Sequence, residues 1–485
     1  MKTDILVVGS GIAGLSFALR AAKFASVTVV TKDDAMESNT QYAQGGLAGV
    51  FGKDDDFALH VQDTLKAGDG LCEEEAVKVL VENAPEAISW LDELGVGFDK
   101  NGSFHLGKEA VHSKRRIVHV GDSTGKSIQK ILVEKVKADK NITLLQHQDV
   151  VSLLVKDNRC GGAVVSGDKH SFIHARAVVL ATGGLGNLYS RTCNPAIATG
   201  DGIALAYEAG ATLMDMEFVQ FHPTGLLHSG KSFLLTERLR GEGATLVNAS
   251  GERFMEQYHP ELEMAARDIV ARACVEEAQK TNADVYLDMT VIEKDVLERE
   301  FPAITATCKE LGFDVFKGPV PISPTAHYLC GGVKVDFSGR TDVEQLFAIG
   351  EVSCRGIHGA DRLASNSLIE GLVFGNKLAE YLKDALGDYV EIEETSFDEE
   401  KSSLSKIQAL LWEHVGIVRT QQGLQYCLDE LKKLSGRYAL VAELITRCAL
   451  AREESRGTHY RSDFSSKKDS FRKHTLINKE GITFD

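Results

Sequence analysis

The segment from Ile5 to Gly14 reads I-L-V-V-G-S-G-I-A-G, and it restricts the fold more than any other. Ile5, Leu6, Val7 and Val8 leave no polar face, the pattern of a strand buried on both sides in a parallel sheet. The run ends in Gly9, Gly11 and Gly14, spaced G-x-G-x-x-G, after which Ile12, Leu15, Ala18, Leu19 and Ala22 recur at helical spacing. The first glycine of such a turn makes it tight. The second lets backbone N–H groups approach a pyrophosphate, and the third lets the helix pack on the strand. The anion then sits at the positive end of a helix dipole. Strand, turn and helix in this order predict a dinucleotide-binding α/β unit.

At 485 residues the chain exceeds one ordinary core, and two or three domains are expected. With 43% hydrophobic and 26% charged residues it has a globular composition. No apolar run reaches the roughly 18 residues that span a bilayer, so no membrane partner is expected. The chain opens on the buried strand, not on a basic and apolar leader, which suits a cytoplasmic location. A formal net charge of −16 argues against nucleic acid. Nine scattered cysteines without a C-x-x-C pair argue against a metal site and suit a reducing compartment.

Val27 to Thr31 reads as a second strand. An acidic residue at its end would hold the ribose of a nicotinamide cofactor, but Thr31-Lys32 stands there, which argues against NAD. Ser38 to Gly46, S-N-T-Q-Y-A-Q-G-G, offers small polar groups to a second phosphate or a flat ring. The pattern from Asp54 to Asp99 is mostly helical. Phe104 to His119 is a basic run with Glu109, His112 and His119 embedded in it. Asp122-Ser123-Thr124-Gly125 predicts a turn that caps a helix through Ala138. Ala177 to Gly184 is a second buried strand running into glycines, a pairing commoner in flavoproteins than in NAD dehydrogenases.

Near Leu213 the signals mix, and they return to α/β style after Cys330. The expected division is a discontinuous dinucleotide-binding domain (1–215 and 331–390) and an inserted capping domain (216–330). An acidic linker over Glu391 to Glu400 would lead to a C-terminal helical domain (400–485). The polar stretch after Ser462 is expected to be a mobile end.

Glu109, His222, Thr236, Glu237, Arg240, Arg267, His327 and Arg362 can carry chemistry, although they lie far apart in sequence. A lone histidine is more often structural, and most arginines are surface charges. Two arginines with two histidines nevertheless suit a dicarboxylate, because guanidinium pairs with carboxylate through two parallel hydrogen bonds.

Several motifs follow in one order. Gly9 to Gly14 and Ser38 to Gly46 come first, then Ala181 to Gly184 and Thr199 to Gly202. F-H-P-T around His222, L-R-G-E-G-A (Leu239 to Ala244) and A-A-R-D-I-V (Ala265 to Val270) are next. A-H-Y-L-C-G-G (Ala326 to Gly332), A-S-N-S-L (Ala364 to Leu368) and E-S-R-G-T-H-Y-R (Glu454 to Arg461) complete the series. Over nearly its whole length the chain resembles the succinate dehydrogenase/fumarate reductase flavoproteins. Within them it is most similar to the aspartate-oxidising branch, on the E-A-V-H-S-K-R-R-I-V-H stretch, Cys330 and the closing motif.

The resemblance implies an α/β fold: a Rossmann-like FAD-binding domain with an inserted α+β capping domain and a C-terminal helical bundle. It implies one FAD per chain, in contact with Gly9, Ser10, Gly11, Ile12, Ala13, Gly14, Lys32, Asn39, Thr40, Gln41, Tyr42, Ala43, Gln44, Gly45 and Gly46. Val150, Ala181, Thr182, Gly183, Asp201, Glu351, Asn366, Ser367 and Leu368 complete that implied contact set. Asn39 stands where respiratory members carry the histidine that bonds flavin, so the FAD is expected to be non-covalent. His222, His327 and Arg362 would hold carboxylates, Thr236 and Glu237 would line the pocket, and Arg267 would be the acid/base residue. Glu109 would face a substrate amino group. Ala110-Val111 departs from the family pattern, where two glycines are expected.

The implied activity is oxidation of L-aspartate to iminoaspartate, with O2 giving hydrogen peroxide or fumarate giving succinate. This would be the first step of NAD biosynthesis, with the product passing to quinolinate synthase. The alternatives are a soluble fumarate reductase and the flavoprotein subunit of a succinate dehydrogenase/fumarate reductase complex. Asn39 and the lack of an anchor argue against the subunit.

Overall fold

The computed structural model describes residues 1–166, 170–228, 231–392 and 403–485. The strand Lys2–Val8 lies inside a seven-stranded sheet, parallel to Val27–Val30 on one side and Ser171–Leu180 on the other. Ile142–Leu145 extends the sheet beyond Val27–Val30, and Leu346–Ala348 also pairs with Ser171–Leu180. The antiparallel strands Arg159–Val165 and Val150–Lys156 close the far edge.

Alternate residues of the first strand enter different cores. Ile5 and Val7 pack against the helices Ile12–Ala21, Glu74–Leu94, Thr124–Ala138 and Asn366–Ala385. Leu6 and Val8 face the helix Asp201–Ala209, in a core that continues into the C-terminal helices. Burial on both faces is the physical reason for the unbroken apolar run. The carboxyl ends of these parallel strands open a crevice, where α/β sheets bind ligands.

The capping region has its own five-stranded antiparallel sheet, in the order Lys231–Leu234, Val219–His228, Val320–Leu329, Val285–Asp288, Thr245–Val247. The helix Arg267–Thr281 packs on it, around a separate core that includes Leu226, Leu246, Phe254 and Leu287. Three helices, Leu404–His414, Gln421–Leu431 and Arg437–Ala451, follow toward the C-terminus. The expected acidic linker falls, from residue 393, outside the described residues.

Two sequence expectations are corrected. The stretch after Ser462 is not a loose end, because Thr475–Asn478 and Gly481–Phe484 form a hairpin that pairs with Leu213–Met214. Ile477 and Thr475 are fully buried there, and the Thr475 hydroxyl donates to Glu217. The polar look of this stretch reflects bonds to residues more than 250 positions away. Asp122 does not cap the helix that follows it. Ser123 occupies that N-cap without a side-chain bond, and the Asp122 carboxylate accepts from Ala303 N (3.2 Å) and Ile304 N (2.7 Å). It thereby caps Pro302–Glu310 in the capping region.

Candidate active site

At the carboxyl end of the central strands, Gly9 has φ +112°, and a Cβ there would lie 2.2 Å from the Ala181 carbonyl oxygen. A Cβ on Gly14 would lie 2.2 Å from the Gly9 carbonyl oxygen. These two glycines therefore let the turn, the second glycine-tipped strand and the first helix converge. Gly11 is the N-cap of Ile12–Ala21, and Thr40 Oγ1 accepts from Ile12 N at 3.0 Å. This joins the Ser38 to Gly46 loop to the start of the helix.

An open cleft, with about 1600 Å³ of atom-free space including solvent at its mouth, runs from this turn into the boundary with the capping sheet. Every expected catalytic residue lines it, and so does every expected cofactor contact except Gly14, Gln41 and Asn366. Gly14 lies one turn into the helix and serves packing. Asn366 is fully buried and turned away, with Oδ1 3.0 Å from His60 Nε2 and Nδ2 donating to Thr64. Lys32 and Asp201 meet each other on the wall, Nζ to Oδ2, at 2.5 Å.

The wall fits a dinucleotide. Among the described residues, Asn39 Oδ1, Gln44 Oε1 and Thr182 Oγ1 are buried lining atoms without a hydrogen-bond partner. Such atoms are costly unless a ligand supplies polar partners, as the hydroxyl and N–H groups of FAD would. Asn39 Nδ2 donates to Glu351 Oε2 at 3.1 Å. Burial pushes the Glu351 carboxyl up to about 7, against the lowering effect of Leu329 N and Asn39.

Deeper in the cleft, the capping sheet and the helix Arg267–Thr281 supply a cationic pocket. Gln220 Oε1 accepts from both Arg267 (2.8 Å) and Arg362 (3.1 Å) and so bridges the two guanidiniums. Arg362 also donates to Ser367 at 2.6 Å and stacks 4.3 Å above the Tyr328 ring centroid. Arg267 pairs with Glu237 at 2.5 Å. Burial works to lower Arg267, but Glu237 and Glu109 overcome it and raise it, so it stays cationic. Burial works to raise Glu237, yet Arg267 and Arg240 hold it below the ordinary range. The rings of His222 and His327 lie 5.2 Å apart. Burial first, then Arg267, keeps both far below the ordinary histidine value and therefore neutral. Thr236 is buried and lines the same cleft.

Glu109 enters from the basic run. It is 2% exposed, and Ser365 Oγ donates to it at 2.5 Å. Burial, then the Glu237 charge, pushes its carboxyl up. The next backbone N–H, of Ala110, donates to Glu237 at 2.9 Å, tying this loop to the capping region. Val111 has φ +67°, a left-handed conformation that is unfavourable for a β-branched residue. That backbone is the physical reason a glycine would be easier here.

Sequence reasoning missed Gln220, Ser365, Cys193 and Tyr328. Only Gln220 left a signal, since it shares a strand with His222 at a spacing of two. Tyr328 lies on the strand Val320–Leu329, while Ser365 and Cys193 are brought in by loops with no pattern of their own.

The FAD binding domain family matches residues 4–368, and the fumarate reductase flavoprotein C-terminal family matches residues 436–485. The L-aspartate oxidase of Vibrio cholerae is 41% identical, with 96% of each chain covered. That of Yersinia pestis is 43% identical, over 95% of this chain and 96% of the relative. Among solved structures, an E. coli quinol fumarate reductase flavoprotein superposes with TM-score 0.92 at 31% identity, covering 100% of this chain and 96% of that one. Full-length likeness of this degree places the chain in the L-aspartate oxidase family of FAD-dependent flavoproteins.

Proposed function

We propose that this chain oxidises L-aspartate to iminoaspartate by using two arginines and two neutral histidines for the carboxylates and Glu109 for the amine. The observation that carries the assignment is convergence: Arg267, Arg362, His222, His327 and Glu109 line one cleft with the glycine turn. Bound FAD supplies the acceptor for two electrons. The proposed division of labour is a FAD-binding domain (1–215 and 331–390), a capping domain (216–330) and a C-terminal domain (400–485).

Arg267 and Arg362 neutralise the substrate carboxylates, while His222 and His327 donate through N–H groups. Thr236 completes that wall, and Glu237 fixes Arg267. Glu109 receives the ammonium group. Its raised pKa brings it closer to the task of accepting the ammonium proton, which must leave before the C–N double bond forms. Arg267 is too firmly protonated to act as a base, so it stabilises charge here. In the reverse-type reduction of fumarate it serves as proton donor. With oxygen the balance is L-aspartate plus O2 to iminoaspartate plus H2O2. With fumarate it is L-aspartate plus fumarate to iminoaspartate plus succinate. The imine is short-lived in water, which suits transfer to quinolinate synthase in the cytoplasm at the start of NAD biosynthesis.

The test is to purify the chain, release a yellow cofactor with acid and supply L-aspartate alone in air. Peroxide formation supports the oxidase. Turnover only with fumarate and a reduced dye favours a fumarate reductase, and activity only with added membranes favours a respiratory subunit. Arg267→Leu is expected to abolish fumarate reduction with flavin retained; persistent turnover would reject the donor role.

A further inference from the structure

A neutral imidazole has one N–H and one lone pair, so its tautomer decides whether it attracts or repels a carboxylate. In His222 the tautomer is fixed by the main chain. The Thr224 backbone N–H lies 3.3 Å from Nδ1 and can only donate, which leaves the proton on Nε2. The Thr224 hydroxyl is also 3.3 Å from Nδ1, but its own proton is directed to the Leu235 carbonyl at 2.7 Å.

His327 has no backbone N–H at Nδ1 among the described residues. Its Nδ1 lies 3.2 Å from Cys193 Sγ. The thiol also meets the Thr325 hydroxyl, and the Ala326 carbonyl is 3.7 Å away. That oxygen already accepts from Thr192 Oγ1 at 2.8 Å and Cys193 N at 3.3 Å. Asn194 Nδ2 donates to the His327 carbonyl at 3.1 Å, so residues 192–194 grip both residues of the strand. Burial pushes the Cys193 thiol up to about 11, which keeps its proton in place near neutral pH.

We propose that Cys193 is a positioning residue: its S–H donates to His327 Nδ1 and so holds the Nε2–H tautomer that donates to a substrate carboxylate. The inference rests on the dicarboxylate reading of the cleft. It gives the two histidines the same presented donor by different means, a main-chain N–H for one and a thiol for the other. Without the thiol proton, His327 Nδ1 has no donor, and the ring divides between a donating and a repelling form.

The experiment uses the FAD-loaded enzyme, with succinate as probe followed by flavin absorbance, and L-aspartate as substrate. Cys193→Ala is expected to raise the Kd for succinate and the KM for aspartate about tenfold, the scale of one hydrogen bond to a charged group. Flavin content and melting temperature should be unchanged. Cys193→Ser, which restores a donor, should return both constants to within about threefold of the parent. Separately, ¹⁵N-histidine NMR of the parent should show the signal absent from His327→Gln with its proton on Nε2. Parent-like succinate binding in Cys193→Ala would overturn the proposal, as would equal losses in the alanine and serine variants or a proton on Nδ1. If the parent itself neither binds succinate nor oxidises aspartate, the dicarboxylate reading fails first and takes this inference with it.

Discussion

Replacing Glu109 by glutamine separates amine recognition from dicarboxylate binding. The carboxyl is 2% exposed and held by Ser365 at 2.5 Å, a bond the glutamine carbonyl can still accept. The substitution therefore removes charge and basicity while keeping size. Losing one partner of a buried charge pair costs about 2–5 kcal/mol. That corresponds to a fall of about 30- to 5,000-fold in kcat/KM for L-aspartate. Fumarate carries no amine, so its reduction should change by less than about threefold. Peroxide release from aspartate and fumarate-dependent oxidation of a reduced dye, measured on one preparation, give the ratio directly.

The pH profile supplies a second readout. Burial and the Glu237 charge raise Glu109, so parent kcat/KM for aspartate should fall with decreasing pH through a limb above the ordinary glutamate value of about 4.3. That limb should vanish in the glutamine variant. Equal losses of both activities, or an unchanged acid limb, would refute the amine-binding role.

Gly9→Ala should abolish flavin retention, because its Cβ would sit 2.2 Å from the Ala181 carbonyl in a left-handed backbone; a normal flavin-to-protein ratio would contradict the cradle. Glu351 is raised to about 7 in the folded chain, so its burial costs nothing at low pH and progressively more as pH climbs from its unfolded value to 7. Glu351→Gln should thus stabilise flavin-depleted protein by up to about 3 kcal/mol at pH 8 and by little at pH 4.5, checked by paired thermal melts; a pH-independent difference would reject the shift. Val111→Gly should raise the melting temperature, since strain of about 1–3 kcal/mol outweighs the extra chain entropy of glycine, about 0.5–1 kcal/mol; a lower midpoint would show the valine side chain contributes more than its backbone loses. Asp122→Ala should lower stability by about 1 kcal/mol through loss of the cap on Pro302–Glu310, seen as faster amide exchange confined to that helix.

The parts of this protein legible in its sequence are those whose signal is local. Four buried apolar residues and three spaced glycines disclose the central strand and the turn, because burial on two faces and a backbone clash each limit the residue on the spot. That these side chains share one cleft is recognisable only by family likeness, since nothing near His222 in sequence points to His327 or Arg362. Gln220, Ser365 and Cys193 act through partners more than 100 residues away in the chain, and an uncharged polar residue in a loop has no periodicity to betray it. The C-terminal hairpin looks like a loose end in the sequence for the same reason. Its polar side chains look solvated until Asp215 and Glu217 are placed opposite them.

That hairpin also sets a clock. Thr475 N bonds Asp215 Oδ1 across 260 positions, so the sheet at the root of the capping region cannot close until that many further residues have been made. At synthesis rates of about 5–20 residues per second, the interval is about 13–52 s. Once Leu329 has been made, and for the rest of the interval, the capping sheet is complete while its root is not. Synonymous codon changes that slow translation between 330 and 475 would lengthen this exposed interval without altering a single contact in the finished protein.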